Sequence, residues 1–272
     1  MSTRVRIVVP LRSTWDGDAT VISSTGGLRL EVDRMADVPQ SLEAAYDVAR
    51  VERQVVDRVV AARDEGVDAV VVRCMRDVGV QAAREIVGIP VVGPAQATFQ
   101  VACMLGRRFS VLVTLPRSIE VVEDQIRKWG LRHRFASARA LDVPVQRLHD
   151  DEDLLLDRMG EQAQAAVEHD GAHVVVLGCT AMQGAGAAVE RRLADADQVG
   201  VPVIEPLSLS VRLAGVLAQL GLSGSSRTHP AAAEFIRQAQ WPRSRWASLP
   251  PLPEDPSTHQ FLDVERTVSD PR

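Results

Sequence analysis

The stretch VDAVVVRCMRD at residues 67–77 returns in altered form as AHVVVLGCTAM at residues 172–182. Each copy is a short apolar run that leads to a cysteine, Cys74 in the first and Cys179 in the second, an offset of 105 positions (179 − 74). An unbroken run of β-branched residues is typical of a strand that is covered on both faces, as in parallel sheets. The two runs therefore predict equivalent buried strands, each followed by a cysteine.

The same offset aligns several other features of the chain without a gap. Arg12-Ser13 falls on Arg117-Ser118, Asp37-Val38-Pro39 falls on Asp142-Val143-Pro144, and Gly66 falls on Gly171. After the cysteines the match resumes with a change of length, in VGIPVVGPAQA and VGVPVIEPLSL. An ordered series of matches indicates an internal duplication, and its period is too long for a solenoid. We therefore predict two related half-molecules.

Each half alternates short β-branched runs with longer helical patterns, as in βαβ units that form a parallel sheet. The predicted strands are residues 4–9, 67–73, 90–92, 109–114, 172–178 and 201–204. The predicted helices are residues 43–65, 79–87, 117–129, 151–169, 184–194 and 207–220, and TFQVACML is a further apolar helical stretch. The fold prediction is α/β, with two pseudo-symmetric domains whose parallel sheets are flanked by helices.

Composition and charge exclude several classes of function. The 272 residues carry a formal net charge of −5, and the basic residues are scattered, so we expect neither a nucleic-acid nor a membrane partner. The N-terminal segment is too polar for a signal sequence, which predicts a cytoplasmic protein. Three cysteines without a CxxC pair argue against a disulfide framework or a zinc site, and histidines lack ligand spacing. No nucleotide-binding glycine loop is evident, so we expect no metal and no cofactor.

The positions of Cys74 and Cys179 suggest reactivity. In open α/β sheets, ligands bind beyond the carboxyl ends of the strands, where the next helices present their N-termini. Such N-termini stabilise a thiolate, so we expect both thiols to be exposed and to have a lowered pKa. Cys103 lies in TFQVACML without a counterpart in the other half, so we interpret it as a structural residue.

Three stretches resemble the aspartate/glutamate/hydantoin racemase superfamily, with the hydantoin racemase branch the most similar. They are VDAVVVRCMRDVGVQAAREIVGIPVVGPAQA, RRFSVLVTLPRS and HVVVLGCTAM…VPVIEP, within a resemblance that covers about residues 4–220. The resemblance implies two pseudo-symmetric α/β domains, one cysteine from each at a cleft between them, and cofactor-independent proton transfer at a carbon next to a carbonyl.

The same resemblance implies roles for individual residues. It implies that Cys74 and Cys179 are the catalytic acid and base and that Thr114, Arg117, Ser118 and Thr180 lie at the substrate; Ser13 is a further candidate for substrate binding from its residue type and position. The serine and threonine residues could equally cap the N-termini of helices. Arg12 and Arg117 could bind a carboxylate or an imide oxygen of a substrate, or they could be solvated at the surface. The chain departs from hydantoin racemases in Val9-Pro10-Leu11-Arg12-Ser13 and in Gly178-Cys179-Thr180-Ala181-Met182, where they commonly have Asn-Pro-Asn-Thr and Gly-Cys-Ala-Gly-Met. The roles of Arg12, Arg73 and Arg76 therefore stay open.

Two thiols on opposite faces of a carbon suffice for racemisation, and they favour a substrate whose C–H is already acidic. A hydantoin ring meets this condition more readily than a free amino acid does. Our first hypothesis is thus a two-cysteine racemase or epimerase for a hydantoin-like or amino-acid-derived small molecule. The alternatives are a cis–trans isomerase of the maleate type with a cysteine nucleophile, and a two-lobed binding protein without turnover.

The domain prediction follows the duplication. Residues 1–98 form the first racemase-like half, completed by residues 205–222, and residues 99–204 form the second half. Residues 223–272 are a Pro/Ser-rich C-terminal tail, which is interpreted as a solvated extension. In a second interpretation, Trp241 and Trp246 bind the tail to the folded part of the same chain or to a neighbouring subunit of a homo-oligomer.

Overall fold

A computed structural model of the chain describes residues 2–12 and 27–229, which all belong to one compact unit. Its strands are β1 (Thr3–Val9), β2 (Leu28–Arg34), β3 (Ala69–Val72), β4 (Val91–Val92), β5 (Phe109–Val113), β6 (Phe135–Ala140), β7 (Val174–Leu177) and β8 (Val203–Ile204). Its α-helices are α1 (Ala45–Asp64), α2 (Val80–Arg84), α3 (Pro94–Leu105), α4 (Arg117–Lys128), α5 (Glu152–Glu168), α6 (Gly186–Asp195) and α7 (Pro206–Gln219). Ser13, Trp241 and Trp246 lie outside the described residues.

The strands form two four-stranded parallel sheets with the same topology. The first sheet has the order β2-β1-β3-β4 and the second has the order β6-β5-β7-β8. β3 and β7, the apolar runs that lead to Cys74 and Cys179, are interior strands, and all eight of their residues are buried. The predicted fold class, α/β with two similar parallel sheets flanked by helices, is confirmed.

Two strands were absent from the prediction, β2 and β6, and both are edge strands. Their sequences, LRLEVDR and FASARA, contain charged residues and lack a long apolar run. Ion pairs hold these charges at the sheet. Arg6 on β1 contacts Glu31 on β2 at 2.7 Å, and Arg139 on β6 contacts Asp170 at 2.6 Å. Partly covered edge strands of this kind lack the hydrophobic signal on which the strand predictions relied.

The last helix of each half packs on the sheet of the other half. α7 follows β8 of the second sheet, but its Leu207, Val211 and Ala214 are buried with residues of β1 and β3. α3 follows β4 of the first sheet, but its Phe99 and Ala102 are buried with residues of β5 and β7. This exchange suits a first half that is completed by residues 205–222, although the exact domain boundaries stay a prediction.

The duplication also brings equivalent residues into contact. The Gln146 amide donates a hydrogen bond of 2.8 Å to the hydroxyl of Ser41, and these two positions differ by the repeat offset of 105. Equivalent residues of a pseudo-two-fold pair meet only near the axis that relates the halves. Ser41 and Gln146 therefore mark that axis, beside the loops that carry the cysteines.

No helix in the part of the chain that the structure describes has both the length and the apolar character needed to cross a membrane.

Candidate active site

Both cysteine loops line one cleft at the carboxyl ends of β3 and β7. The cleft is narrow, with a cavity volume of about 70 Å³ between its walls. Five of the predicted site residues line it together: Cys74, Cys179, Thr114, Ser118 and Thr180. Arg117 is exposed at the start of α4 and is not among the lining residues. Ser13 belongs to the stretch between residues 12 and 27, which the structure does not describe.

The two cysteine loops have matching local hydrogen bonds. The carbonyl of Cys74 accepts the N–H of Asp77, and the carbonyl of Cys179 accepts the N–H of Met182, so each loop closes three residues after its cysteine. Each thiol also interacts with the backbone N–H two residues further along, that of Arg76 and that of Ala181. The duplication thus reproduces the backbone hydrogen bonds around the two cysteines.

The expectation of exposed thiols with a lowered pKa is wrong. Burial raises the pKa of Cys74 to about 12, and only 8% of this residue is exposed. Burial also raises the pKa of Cys179, which is partly buried, and the N–H of Ala181 and the charge of Arg73 oppose this rise. The α-helices that follow the cysteines begin only at Val80 (α2) and at Gly186 (α6), and a single 3-10 turn, Thr180–Met182, follows Cys179 directly. The charge of a helix N-terminus acts mainly within the first turn.

The raised thiol pKa values predict how racemisation depends on pH. One cysteine must be a thiolate, and kcat/KM reports the ionisation of the free enzyme. Between about pH 6.5 and 8.5, kcat/KM should rise roughly tenfold per pH unit, because each unit increases the thiolate fraction about tenfold below the pKa. The measurement is the initial rate at low substrate concentration, with circular dichroism as a control for folding. A plateau that begins near pH 7 would contradict the raised pKa values.

Two charged residues act on the pKa of Cys179 in opposite directions. Arg73, only 2% exposed, lowers the pKa of Cys179 through its charge, whereas the Glu43 carboxylate raises it. A second, wider pocket shares Cys179 and Thr180 with the cleft, and its wall includes Arg12, Arg73 and His149. The roles of Arg12 and Arg73 stayed open on the sequence alone, and the histidines had no ligand-like spacing.

Two polar residues of the cleft wall were missed altogether, Glu43 and Gln125. Glu43 precedes α1, and Gln125 lies on the amphipathic helix α4, where the sequence has no feature that separates it from solvent-facing residues. The apolar part of the wall includes Leu42, Met75 and Val121. In the described ranges, no group of three or more His, Cys, Asp or Glu residues is arranged to hold a metal ion.

The fold and the cleft define a class of two-lobed α/β proteins, and comparison with known proteins identifies the family. The profile of the Asp/Glu/Hydantoin racemase family matches residues 19–214. A hydantoin racemase from Rhizobium meliloti is 36% identical over 189 residues, which are 70% of this chain and 76% of that protein. The chain therefore belongs to the Asp/Glu/hydantoin racemase family.

Solved structures agree with this assignment. An allantoin racemase from Klebsiella pneumoniae superposes with a TM-score of 0.75 at 30% identity, over 83% of this chain and 91% of that chain. An allantoin racemase from Pseudomonas fluorescens superposes with a TM-score of 0.74 at 29% identity, over 84% and 96% of the two chains. These homologues indicate that the protein is an isomerase, specifically a racemase.

Proposed function

We propose that the protein is a cofactor-independent racemase that uses Cys74 and Cys179 as acid and base on a carbon next to a carbonyl. The observation that carries this proposal is the single cleft lined by both thiols, which belong to equivalent loops of the two halves. Groups related by a pseudo-two-fold axis suit a substrate carbon that must be approached from two faces. Thr114, Ser118 and Thr180, which line the same cleft, are proposed to bind the substrate.

The proton transfers balance without a further reactant. Cys74, as a thiolate, takes the proton from the substrate carbon, and the electron pair of the C–H bond moves onto the adjacent carbonyl to give an enolate. Cys179, as a thiol, then gives its proton to the opposite face of that carbon. The enzyme is left with a thiolate at Cys179 and a thiol at Cys74, which is the state that acts on the other enantiomer.

The surroundings of the thiols favour a carbon acid of low pKa. Burial of Cys74 raises its pKa to about 12, so little thiolate is present in the free enzyme near neutral pH. A placed acid or base contributes roughly 10²–10⁴-fold to the rate. A 5-substituted hydantoin, or a ring ureide like it, has a more acidic C–H than a free amino acid. The hydantoin and allantoin racemases among the homologues support the same substrate class.

A substrate screen tests this proposal. Single enantiomers of 5-benzylhydantoin, 5-methylhydantoin, allantoin and several free amino acids are incubated with the protein, and the loss of optical rotation is followed against a protein-free control. Racemisation of at least one ring ureide and none of the amino acids is expected. The substrate assignment is wrong if only free amino acids racemise. A cysteine–maleate thioether in the mass spectrum, without racemisation of any compound, would indicate the cis–trans isomerase instead.

A further inference from the structure

Two side-chain oxygens in the cleft wall are buried without a hydrogen-bond donor. They are Oε1 of Glu43 and Oε1 of Gln125, and neither has a partner within the ranges 2–12 and 27–229. Buried acceptors that stay unpaired are destabilising, and most buried polar groups in proteins are paired. Both residues line the cleft that holds the thiols. A pair of such acceptors at a ligand site points to a ligand that supplies the donors.

The orientation of the Gln125 side-chain amide is fixed by the hydrogen bond that its nitrogen makes. The Nε2 group donates a hydrogen bond of 2.8 Å to the carbonyl of Met75, which directly follows Cys74. If the nitrogen and oxygen of this amide were exchanged, the Gln125 oxygen would face the carbonyl oxygen of Met75, and two acceptors cannot pair. Oε1 is therefore the atom that is left unpaired. The loop of Cys74 thus fixes which atom of Gln125 is available to a ligand.

Glu43 is held by the same loop. Its backbone carbonyl accepts a hydrogen bond from the guanidinium of Arg76, two residues after Cys74. The side chain also lies close enough for its charge to act on the thiol of Cys179. Glu43 and Gln125 therefore line the same cleft as the two thiols, beside the loop that follows Cys74, and the amide and carboxylate oxygens accept hydrogen bonds.

We propose that Glu43 and Gln125 are specificity-determining residues that accept hydrogen bonds from N–H groups of the substrate. This inference deepens the proposed function and rests on it for the identity of the cleft as the substrate site. A ring ureide has N–H groups beside the carbon that is racemised, so it can pair with both oxygens. A free amino acid would bring its own carboxylate towards Glu43, where the like charges repel. The two acceptors thereby select neutral ureides.

Binding of a non-reactive ureide tests the proposal independently of turnover. The probe is 5,5-dimethylhydantoin, which has no proton on C5 and cannot be racemised, and it is compared with its 1-methyl and 3-methyl derivatives by calorimetry. Methylation of at least one nitrogen should weaken binding to the wild type about tenfold, since a buried acceptor is left unpaired. Equal affinity for all three compounds, or no binding of the parent at millimolar concentration, overturns the proposal.

Variants assign the effect to the two residues. Gln125→Met and Glu43→Met should each weaken binding of 5,5-dimethylhydantoin about tenfold, and each should bind one of the methylated derivatives as tightly as the parent. Gln164→Met is the matched control, because Gln164 pairs with Glu168 on the outer surface of α5. Its affinities should equal those of the wild type. Variants that keep the full discrimination between the parent and its methylated derivatives contradict the assignment.

Racemisation assays alongside these binding measurements separate this inference from the proposed function. Racemisation of 5-benzylhydantoin without any preference for free N–H groups would leave the proposed function standing and overturn the inference. N–H-dependent binding that is lost in the two variants, with no racemisation of any ureide, would support the inference and overturn the proposed function. The comparison of the three hydantoins uses only the wild-type protein. It therefore tests whether binding depends on N–H groups even if a substitution prevents folding.

Discussion

Cys74→Ser and Cys179→Ser should each lose racemisation, with kcat/KM lowered at least about 10²–10⁴-fold. A serine hydroxyl has a pKa far above neutral, so it can neither remove the proton nor return it on its face of the substrate. Loss of either thiol therefore blocks interconversion in both directions. The measurement is chiral chromatography of a 5-substituted hydantoin after incubation of each enantiomer with each variant.

Cys103→Ser is the matched control for these substitutions. Cys103 is partly buried in α3, where it packs with the cluster that contains Phe99 and Phe109, and it does not line the cleft. Its replacement should leave kcat/KM within about twofold of the wild type, as expected for a residue away from the site. A loss of activity in Cys103→Ser as large as that in the other two variants would mean that the wrong cysteines have been assigned.

Gly178→Ala should destabilise the fold and lower activity together. A methyl group at Gly178 would come within 2.5 Å of the carbonyl oxygen of Leu112, to which the Gly178 N–H donates a hydrogen bond of 2.7 Å. The Leu112 oxygen belongs to the backbone and cannot move aside as the end of a flexible side chain can. The ends of β5 and β7 must therefore separate locally. Overpacking of this kind costs about 1–3 kcal/mol in the free energy of unfolding. Cys179 is the next residue, so its sulfur shifts with the strand.

Urea unfolding and racemisation assays together check this prediction. Gly88→Ala is the control, because a methyl group at Gly88 meets no atom within 4 Å and its backbone is not in the left-handed region. Gly88→Ala should therefore match the wild type in both assays. If Gly178→Ala were as stable and as active as Gly88→Ala, the close approach of Gly178 to Leu112 would be refuted.

The central strands and their cysteines could be predicted because the duplication repeats a strong local signal. The runs before Cys74 and Cys179 are apolar throughout, as buried parallel strands require, and the offset between them identified the two halves. The edge strands β2 and β6 escaped prediction because ion pairs such as Arg6–Glu31, formed between distant residues, replace the hydrophobic pattern. A pattern read over a few neighbouring residues cannot reveal a pairing between residues that are distant in the sequence.

The electrostatics of the site could not be predicted from the motif. The pKa of a thiol depends on how deeply the folded chain buries it, and burial raises the pKa of Cys74 to about 12. The sequence indicates that a cysteine follows a strand, but not how far away the next helix begins. Glu43 and Gln125 were missed for a related reason, since their hydrogen bonds with the loop after Cys74 join residues that are distant in the sequence.

Deuterium exchange in the variants Cys74→Ser and Cys179→Ser tests the opposed two-base mechanism most directly. Each variant is incubated in deuterated water with each enantiomer of the substrate, and the loss of the C5 proton signal is followed by NMR alongside chiral chromatography. The remaining cysteine can still remove the proton that it faces and, after exchange with solvent, return deuterium to the same face. We predict that Cys74→Ser and Cys179→Ser each incorporate deuterium with retention, and that they act on opposite enantiomers. Exchange of the same enantiomer by both variants, or interconversion by either at near the wild-type rate, would contradict the mechanism.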